Sequence, residues 1–99
     1  PKRKESIANP ELIDRIHYHL SRPVVTCECL LDNSKIEIEM GADRKPHPEY
    51  TVVTWTESDT APYFCIEPWM GPPNSPETKV GLHMVNPGER EAFSVTVRV

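Results

Sequence analysis

A glutamate and a tryptophan two positions apart are the side chains of this sequence best suited to chemistry. Glu67 follows the apolar run 64–66 and is followed by Pro68, by Trp69 and by a segment rich in proline and glycine. Because a proline disfavours the helical region for the residue before it, Glu67 is predicted to be extended, at the end of a strand. An aromatic plane covers the C–H face of a sugar while a carboxylate takes its hydroxyl protons, so this pair indicates a carbohydrate site.

The loop predicted after Glu67, residues 68–80, contains Trp69 and adds to the same interpretation. It contains four prolines, and a loop of this length is uncommon in a small domain unless it is functional or disordered. Because prolines lower the conformational entropy of the unfolded chain, they reduce the cost of ordering the loop and favour a functional one. Two simpler interpretations stay open. In the first, Glu67 is a strand-end acid paired with a lysine or a backbone amine. In the second, Trp69 is a core side chain that covers the end of a sandwich.

The composition limits the class of protein. The 99 residues make at most one domain, and 37% hydrophobic residues with a mean hydropathy of −0.51 predict a modest core. The net charge of −4 argues against nucleic acid as a main partner, because phosphate binding needs a basic face. No stretch approaches the ~20 apolar residues of a membrane span, so no membrane is expected. The first residue is Pro1 rather than methionine, and we expect that it is not the natural N-terminus.

The cysteines and histidines predict neither a disulfide framework nor a metal site. Three cysteines, an odd number, are typical of reduced thiols, and we expect a cytoplasmic protein. A zinc site needs four ligands at recognisable spacings, whereas the four histidines are scattered along the chain. We therefore predict no metal, and we interpret Cys27 and Cys29 as buried strand residues.

The apolar pattern predicts an all-β fold with one short helix near its N-terminal end. Residues 1–9 are predicted to be a loop or disordered start, and Asn9, Pro10 and Glu11 form a start signal for a helix over 10–20. Strands are predicted at 24–31, 35–40, 50–56, 63–67, 81–85 and 92–99. Because short turns separate most of these strands, we expect an antiparallel meander.

The second predicted strand has a strict alternation. Ile36, Ile38 and Met40 fall on one face, and Glu37 and Glu39 fall on the other. A period of two is typical of a strand with one buried face. The apolar side chains are therefore predicted to face a core, and the two acids to face water.

Four segments form an ordered set in the second half of the chain. They are the strand 50–56, the run 61–69 with Cys65-Ile66-Glu67-Pro68-Trp69, the loop 71–74, and Gly81-Leu82 leading into 85–89 before a last alternating strand. Together they resemble the C-terminal portion of the aldose 1-epimerase, or galactose mutarotase, superfamily. The likeness is to the divergent bacterial branch whose catalytic acid lies in a Cys-Ile-Glu-Pro-Trp context. It covers roughly residues 10–99 and is strong over 50–99.

The resemblance implies an antiparallel β-sandwich, the galactose mutarotase-like supersandwich, of which residues 10–99 would be the last third. Family members interconvert the α and β anomers of a free sugar without a cofactor. A glutamate takes the proton of the anomeric hydroxyl while a histidine protonates the ring oxygen. By match of motif, Glu67 is the expected general base, Trp69 is expected on or beside the sugar, and Asn74 in the lining of the site. The expected partners are a monosaccharide or sugar phosphate and the remainder of the sandwich, as an upstream segment or a companion chain.

The histidines depart from the family pattern. The acid histidines of the family lie in earlier strands, and none of His17, His19, His47 and His83 has a context that matches them. We therefore expect the 99 residues alone to be inactive. The alternative is a non-catalytic carbohydrate-binding or interaction module that retains the β-sandwich.

Overall fold

Antiparallel β-structure dominates the computed structural model, which describes residues 4–41 and 45–99. The regular elements of these residues are a 3₁₀ turn (Pro10–Leu12), β1 (Arg15–His17), β2 (Val24–Glu28), β3 (Lys35–Met40), β4 (Tyr50–Trp55), β5 (Cys65–Met70), a one-turn helix α1 (Ser75–Thr78) and β6 (Val95–Arg98). The strands of the described residues form two sheets. Sheet A has the order β1-β4-β5, and sheet B has the order β2-β3-β6. The predicted all-β class is confirmed.

The helix predicted over 10–20 is wrong beyond its first turn. The Asn9 side chain accepts a hydrogen bond from the Glu11 N–H at 3.0 Å, as the start signal predicts, but the helical turn has only three residues. Ile13 is extended, Asp14 has a left-handed φ of 54°, and β1 then pairs with β4. The β1–β4 pairing provides hydrogen bonds for backbone groups that would lack partners at the ends of a short helix. The β-branched isoleucines of this segment also fit a pleated surface.

The other predicted boundaries are only partly right. β2 is shorter than predicted at its C-terminal end, β6 occupies only the middle of 92–99, and no strand forms within 81–85. Of the predicted loop start, residues 1–3 lie outside the described residues, and the Asn9 N–H donates to the Ser6 carbonyl in a turn. The meander is wrong as a whole, because β1 pairs with β4 and β3 pairs with β6 across long stretches of sequence.

β2 and β3 form a hairpin at the place where the sequence predicts one. The pairing starts with Val24 opposite Glu39 and runs to the other end of both strands. In the connecting turn, the Asp32 carboxylate accepts hydrogen bonds from the Ser34 N–H at 3.0 Å and from the Ser34 hydroxyl at 2.7 Å. The hydroxyl first, and then the N–H, lower the pKa of Asp32 below its usual value. Hydrogen bonds between neighbouring residues therefore stabilise the turn, as the Asp-Asn-Ser sequence predicts.

The two sheets meet at one end, around Met40 of sheet B and Tyr50 and Val52 of sheet A. These three side chains are at most 7% exposed. The apolar side chains that pack against them come from both sheets and from the segment between β1 and β2: Leu20, Val25, Ile66 and Met70. The hydrophobic core therefore lies at this end, where side chains of both sheets pack together.

Along β3 burial increases from one end of the strand to the other and does not follow the predicted alternation. Met40 is fully buried, whereas Ile36 is 46% exposed. Glu39, predicted to face water, is 6% exposed and accepts a hydrogen bond from the Arg98 guanidinium at 2.7 Å. The prediction for Glu39 is wrong because β6, which lies next to β3, supplies a cation from 59 residues away.

Candidate functional site

Glu67 and Trp69 lie together on one face of β5. Side chains two positions apart share a face of a strand, and the β4–β5 register places Glu67 opposite Val53 and Trp69 opposite Thr51. The indole N–H of Trp69 donates to Oε2 of Glu67 at 3.4 Å. The fold therefore brings together the carboxylate and the aromatic plane that the sequence singles out.

The strand that carries this pair is longer than predicted. β5 continues through Pro68 to Met70, so Glu67 is the third of six strand residues rather than the last residue of a strand. Pro68 lies opposite Val52, and β5 is an edge strand whose neighbour in sheet A is β4. A proline has no N–H to donate and is tolerated on an edge strand. The predicted loop is thus wrong at 68–70, and the ladder to β4 holds Glu67 extended.

The pair is accessible, and its neighbours on β4 are not. Trp69 is 39% exposed and Glu67 is half-buried. On the same face of the sheet, Thr51 is 1% exposed and Val53 is 6% exposed. Within the described part of the chain, the buried Thr51 hydroxyl has no hydrogen-bond partner. A partly exposed carboxylate and indole therefore lie beside a buried central strand.

The segment after β5 begins with a tightly fixed turn. Gly71 has a φ of 81° and donates its N–H to the Glu49 carbonyl at 2.7 Å. A Cβ added to Gly71 would lie 2.9 Å from the Gly81 carbonyl oxygen, so this backbone approach excludes a side chain. Asn74, predicted to line the site, is exposed, has a left-handed φ of 64° and makes no capping hydrogen bond to α1. In the described residues, no hydrogen bond joins Asn74 to Glu67.

The histidine of β1 lies on the opposite face of sheet A from Glu67. His17 is opposite Val52 of β4, whereas Glu67 is opposite the next residue, Val53. Successive residues of a strand point to opposite faces, so the sheet separates His17 from Glu67. Nε2 of His17 is 2.9 Å from the hydroxyl oxygen of Thr54. His17 is therefore not positioned to act on a substrate together with Glu67.

A second polar cluster, which the sequence did not predict, surrounds His83. Nδ1 of His83 hydrogen-bonds to the Glu49 carboxylate, and Nε2 hydrogen-bonds to the Glu91 carboxylate. Nδ1 of His47 lies 4.0 Å from the Glu49 carboxylate, and the two imidazole centroids are 6.4 Å apart. The hydrogen bonds, from Glu91 first and Glu49 second, raise the pKa of His83 above its usual value. We call His83, Glu49 and Glu91 the His83 cluster, and His47 lies beside it.

A cavity of about 320 Å³ opens beside the His83 cluster. Its wall includes Tyr50, Met70 and Phe93, and the rings of Tyr50 and Phe93 are 5.6 Å apart. Sequence reasoning missed this region because 34 residues separate His83 from Glu49. The sequence pattern also predicts a strand at 81–85, whereas the structure has an irregular segment there.

The thiols and carboxylates do not assemble a metal centre in the part of the chain that the structure describes. There, no group of three or more His, Cys, Asp or Glu side chains is arranged to hold a metal ion. Cys27 and Cys65 are half-buried free thiols, and Cys29 is an exposed one, so neither Cys27 nor Cys29 is buried as predicted. Among residues 4–41 and 45–99, no helix has the length and apolar character needed to cross a membrane.

The fold and the site together define an all-β chain with a carboxylate–indole pair on the edge strand of one sheet. Comparison of the chain with protein-family models, with curated proteins and with solved structures finds no match in any of the three. Its function is therefore inferred from its own residues and their geometry.

Proposed function

We propose that this chain is the glutamate-bearing part of an aldose 1-epimerase-like enzyme, which interconverts the α and β anomers of a free sugar. The observation that supports this proposal best is the Glu67–Trp69 pair, joined by a hydrogen bond on an accessible face of β5. The Cys-Ile-Glu-Pro-Trp run in which the pair lies resembles the catalytic segment of that superfamily. Sequence and geometry thus point to the same two side chains.

In the proposed reaction, Glu67 acts as the general base. Its carboxylate takes the proton of the anomeric hydroxyl, and C1 and that oxygen become a carbonyl as the bond from C1 to the ring oxygen breaks. The ring oxygen receives a proton from an acid. Rotation about the C1–C2 bond and the reverse proton transfers then close the ring on the other face. General acid–base catalysis of this kind contributes about 10²–10⁴-fold.

Trp69 and Asn74 are the proposed substrate-binding residues. The indole N–H of Trp69 donates to the Glu67 carboxylate, and the indole ring offers an apolar face to the C–H side of the sugar. Asn74 presents an exposed amide at the start of α1, in the loop that follows β5. The substrate is a monosaccharide or a sugar phosphate, and no cofactor takes part.

The acid and a further wall of the site come, in this proposal, from the remainder of a larger sandwich. That remainder is an upstream segment or a companion chain. Two observations support it: His17 lies on the wrong face of sheet A, and sheet B leaves apolar side chains open. Val95 and Val97 of β6 are 41% and 59% exposed, and Ile36 of β3 is 46% exposed. The free thiols agree with a reducing compartment, and we propose the cytoplasm.

The second candidate function is a non-catalytic carbohydrate-binding module. The position of His17 favours it, because Glu67 then has no acid partner from sheet A and would only accept hydrogen bonds from sugar hydroxyls. This module would bind a sugar through the same Glu67–Trp69 pair without accelerating anomer exchange.

Proton NMR of the anomeric signals distinguishes the two functions. Freshly dissolved α-glucose and α-galactose are followed with and without the full-length encoded protein. We expect faster exchange than in buffer, and a loss of about 10²–10⁴-fold in Glu67→Gln, because the amide cannot take the proton. Glu57→Gln is the matched control, since Glu57 is an exposed carboxylate in the turn before β5.

Three outcomes are informative. Undiminished exchange in Glu67→Gln would exclude Glu67 as the base. Saturable broadening of the sugar signals without acceleration, lost in Trp69→Ala, would favour the binding module. An equal loss in Glu57→Gln and Glu67→Gln would show that the effect is structural rather than chemical.

A further inference from the structure

The His83 cluster joins an irregular segment to the central strand of sheet A. Glu49 immediately precedes β4, whereas His83 and Glu91 lie in the segment 81–94 that leads to β6. We propose that the cluster is a proton-dependent latch. The doubly protonated His83 ring holds segment 81–94 against the start of β4, and loss of one ring proton releases the segment. This inference does not depend on the proposed sugar chemistry.

The hydrogen bonds of His83 require a charged ring. Both ring nitrogens face carboxylate oxygens, one from Glu49 and one from Glu91. An ionised carboxylate only accepts hydrogen bonds, and a neutral imidazole carries a single N–H, so only the imidazolium has a donor for each partner. Loss of a proton would set a nitrogen lone pair against a carboxylate and break one of the two bonds. The pKa of His83, raised by Glu91 first and Glu49 second, agrees in direction.

Segment 81–94 has weak support apart from this cluster. It contains turns and irregular backbone without a strand or helix, and Met84 and Val85 are 71% and 47% exposed. Its far end is held by the Phe93 ring, 5.6 Å from that of Tyr50, and by the Ser94 carbonyl, which accepts the Gly41 N–H at 2.8 Å. Segments with few buried contacts open locally at low free energy. Before Phe93, the two hydrogen bonds of His83 are therefore the main described contacts that hold the segment to sheet A.

The groups around the ring set the direction of the pH dependence. They are Tyr50 of β4, Glu49 immediately before β4, Glu91 of segment 81–94, and His47 of the loop that precedes β4. Nδ1 of His47 accepts the Glu49 backbone N–H at 3.2 Å, so His47 does not replace His83 as the doubly protonated donor. Because the pKa of His83 is higher when the latch is closed, the stabilisation is complete below the usual value of 6.5. It is lost as pH rises through the closed-state pKa.

Amide hydrogen exchange on the full-length protein, read between about pH 6 and about pH 9, tests the latch. We expect the protection factors of segment 81–94 to fall by up to about tenfold per pH unit above the usual histidine pKa, whereas those of β4 stay constant. Nitrogen-15 NMR of the His83 ring should show both nitrogens protonated at the lower end of this range.

Two variants make the result specific. His83→Gln keeps one donor but cannot titrate, so segment 81–94 should be less protected at low pH and insensitive to pH. His47→Gln, the matched control, should retain the pH dependence. A pH-dependent loss that persists in His83→Gln, a loss shared equally by β4, or a His83 ring that is neutral below pH 6.5 would overturn the proposal.

Discussion

Sheet A and sheet B differ in how much of their surface the described residues cover. In sheet A, the central strand β4 is buried from Tyr50 to Thr54, which includes residues on both of its faces. In sheet B, β6 is exposed at every position, and β3 is buried only at Glu39 and Met40. Apolar burial is the dominant favourable contribution to folding. The candidate site on β5 therefore lies in the more buried sheet, next to the buried strand β4.

The overall dimensions agree with this contrast. The Cα radius of gyration is 14.8 Å, whereas a compact chain of this length has a radius of about 13 Å. The apolar face of sheet B is closed at the Met40 end and open toward Ile36 and Val97. The described residues thus cover the central strand of sheet A, whereas they leave an apolar face of sheet B exposed.

The largest expected effect on stability is at the place where the two sheets meet. Met40→Ala removes a side chain with 0% exposure, and we expect the free energy of unfolding to fall by about 2–5 kcal/mol. Ile36→Ala on the same face of β3 should cost less than about 1 kcal/mol, because Ile36 is 46% exposed. Urea unfolding of both variants measures the difference. Equal losses would show that sheet B is buried along its whole length.

The next largest effect concerns the turn that closes β5 of sheet A. Gly71→Ala forces a left-handed residue against the Gly81 carbonyl, so we expect a loss of about 2–4 kcal/mol. Gly88 has a similar φ of 83° and open space around it, so Gly88→Ala carries the backbone strain alone, about 1 kcal/mol. Thermal unfolding of the two variants compares them. If Gly88→Ala is as damaging as Gly71→Ala, the close approach to Gly81 has no energetic role.

The smallest effect is expected on the exposed face of sheet B. Val97 is 59% exposed, and Val97→Thr should change the unfolding free energy of the 99-residue chain by less than about 0.5 kcal/mol. In the full-length protein we expect a larger loss, about 1–2 kcal/mol, because the proposed remainder of the sandwich would bury the added hydroxyl. Urea unfolding of both forms provides the measurement. The same small change in each would count against a cover on this face.

Local signals in the sequence predict several features well. The Asn9 cap and the Asp32–Ser34 turn form where expected, because each depends on hydrogen bonds between residues close in the chain. Strand β3 has the predicted bounds, since its alternation is a short-range pattern. The shared face of Glu67 and Trp69 follows from their spacing of two in an extended chain.

Features that depend on a distant partner could not be predicted in this way. Helical spacing after Pro10 favoured a helix, but pairing with β4 made Arg15–His17 a strand. Pro68 resembled a strand end, yet an edge position lets β5 continue through it. Neither outcome is visible until the neighbouring strand is known.

By itself, the sequence determined the all-β class, the β2–β3 hairpin and the placement of an acid and an indole on one strand face. These depend on backbone geometry over a few residues, which side-chain type and spacing specify directly. Only the tertiary structure decided that Glu39 is buried against Arg98, that His17 faces away from Glu67, and that His83 lies between two carboxylates. Each of these depends on strand register and sheet order, which are set by contacts between residues far apart in the chain.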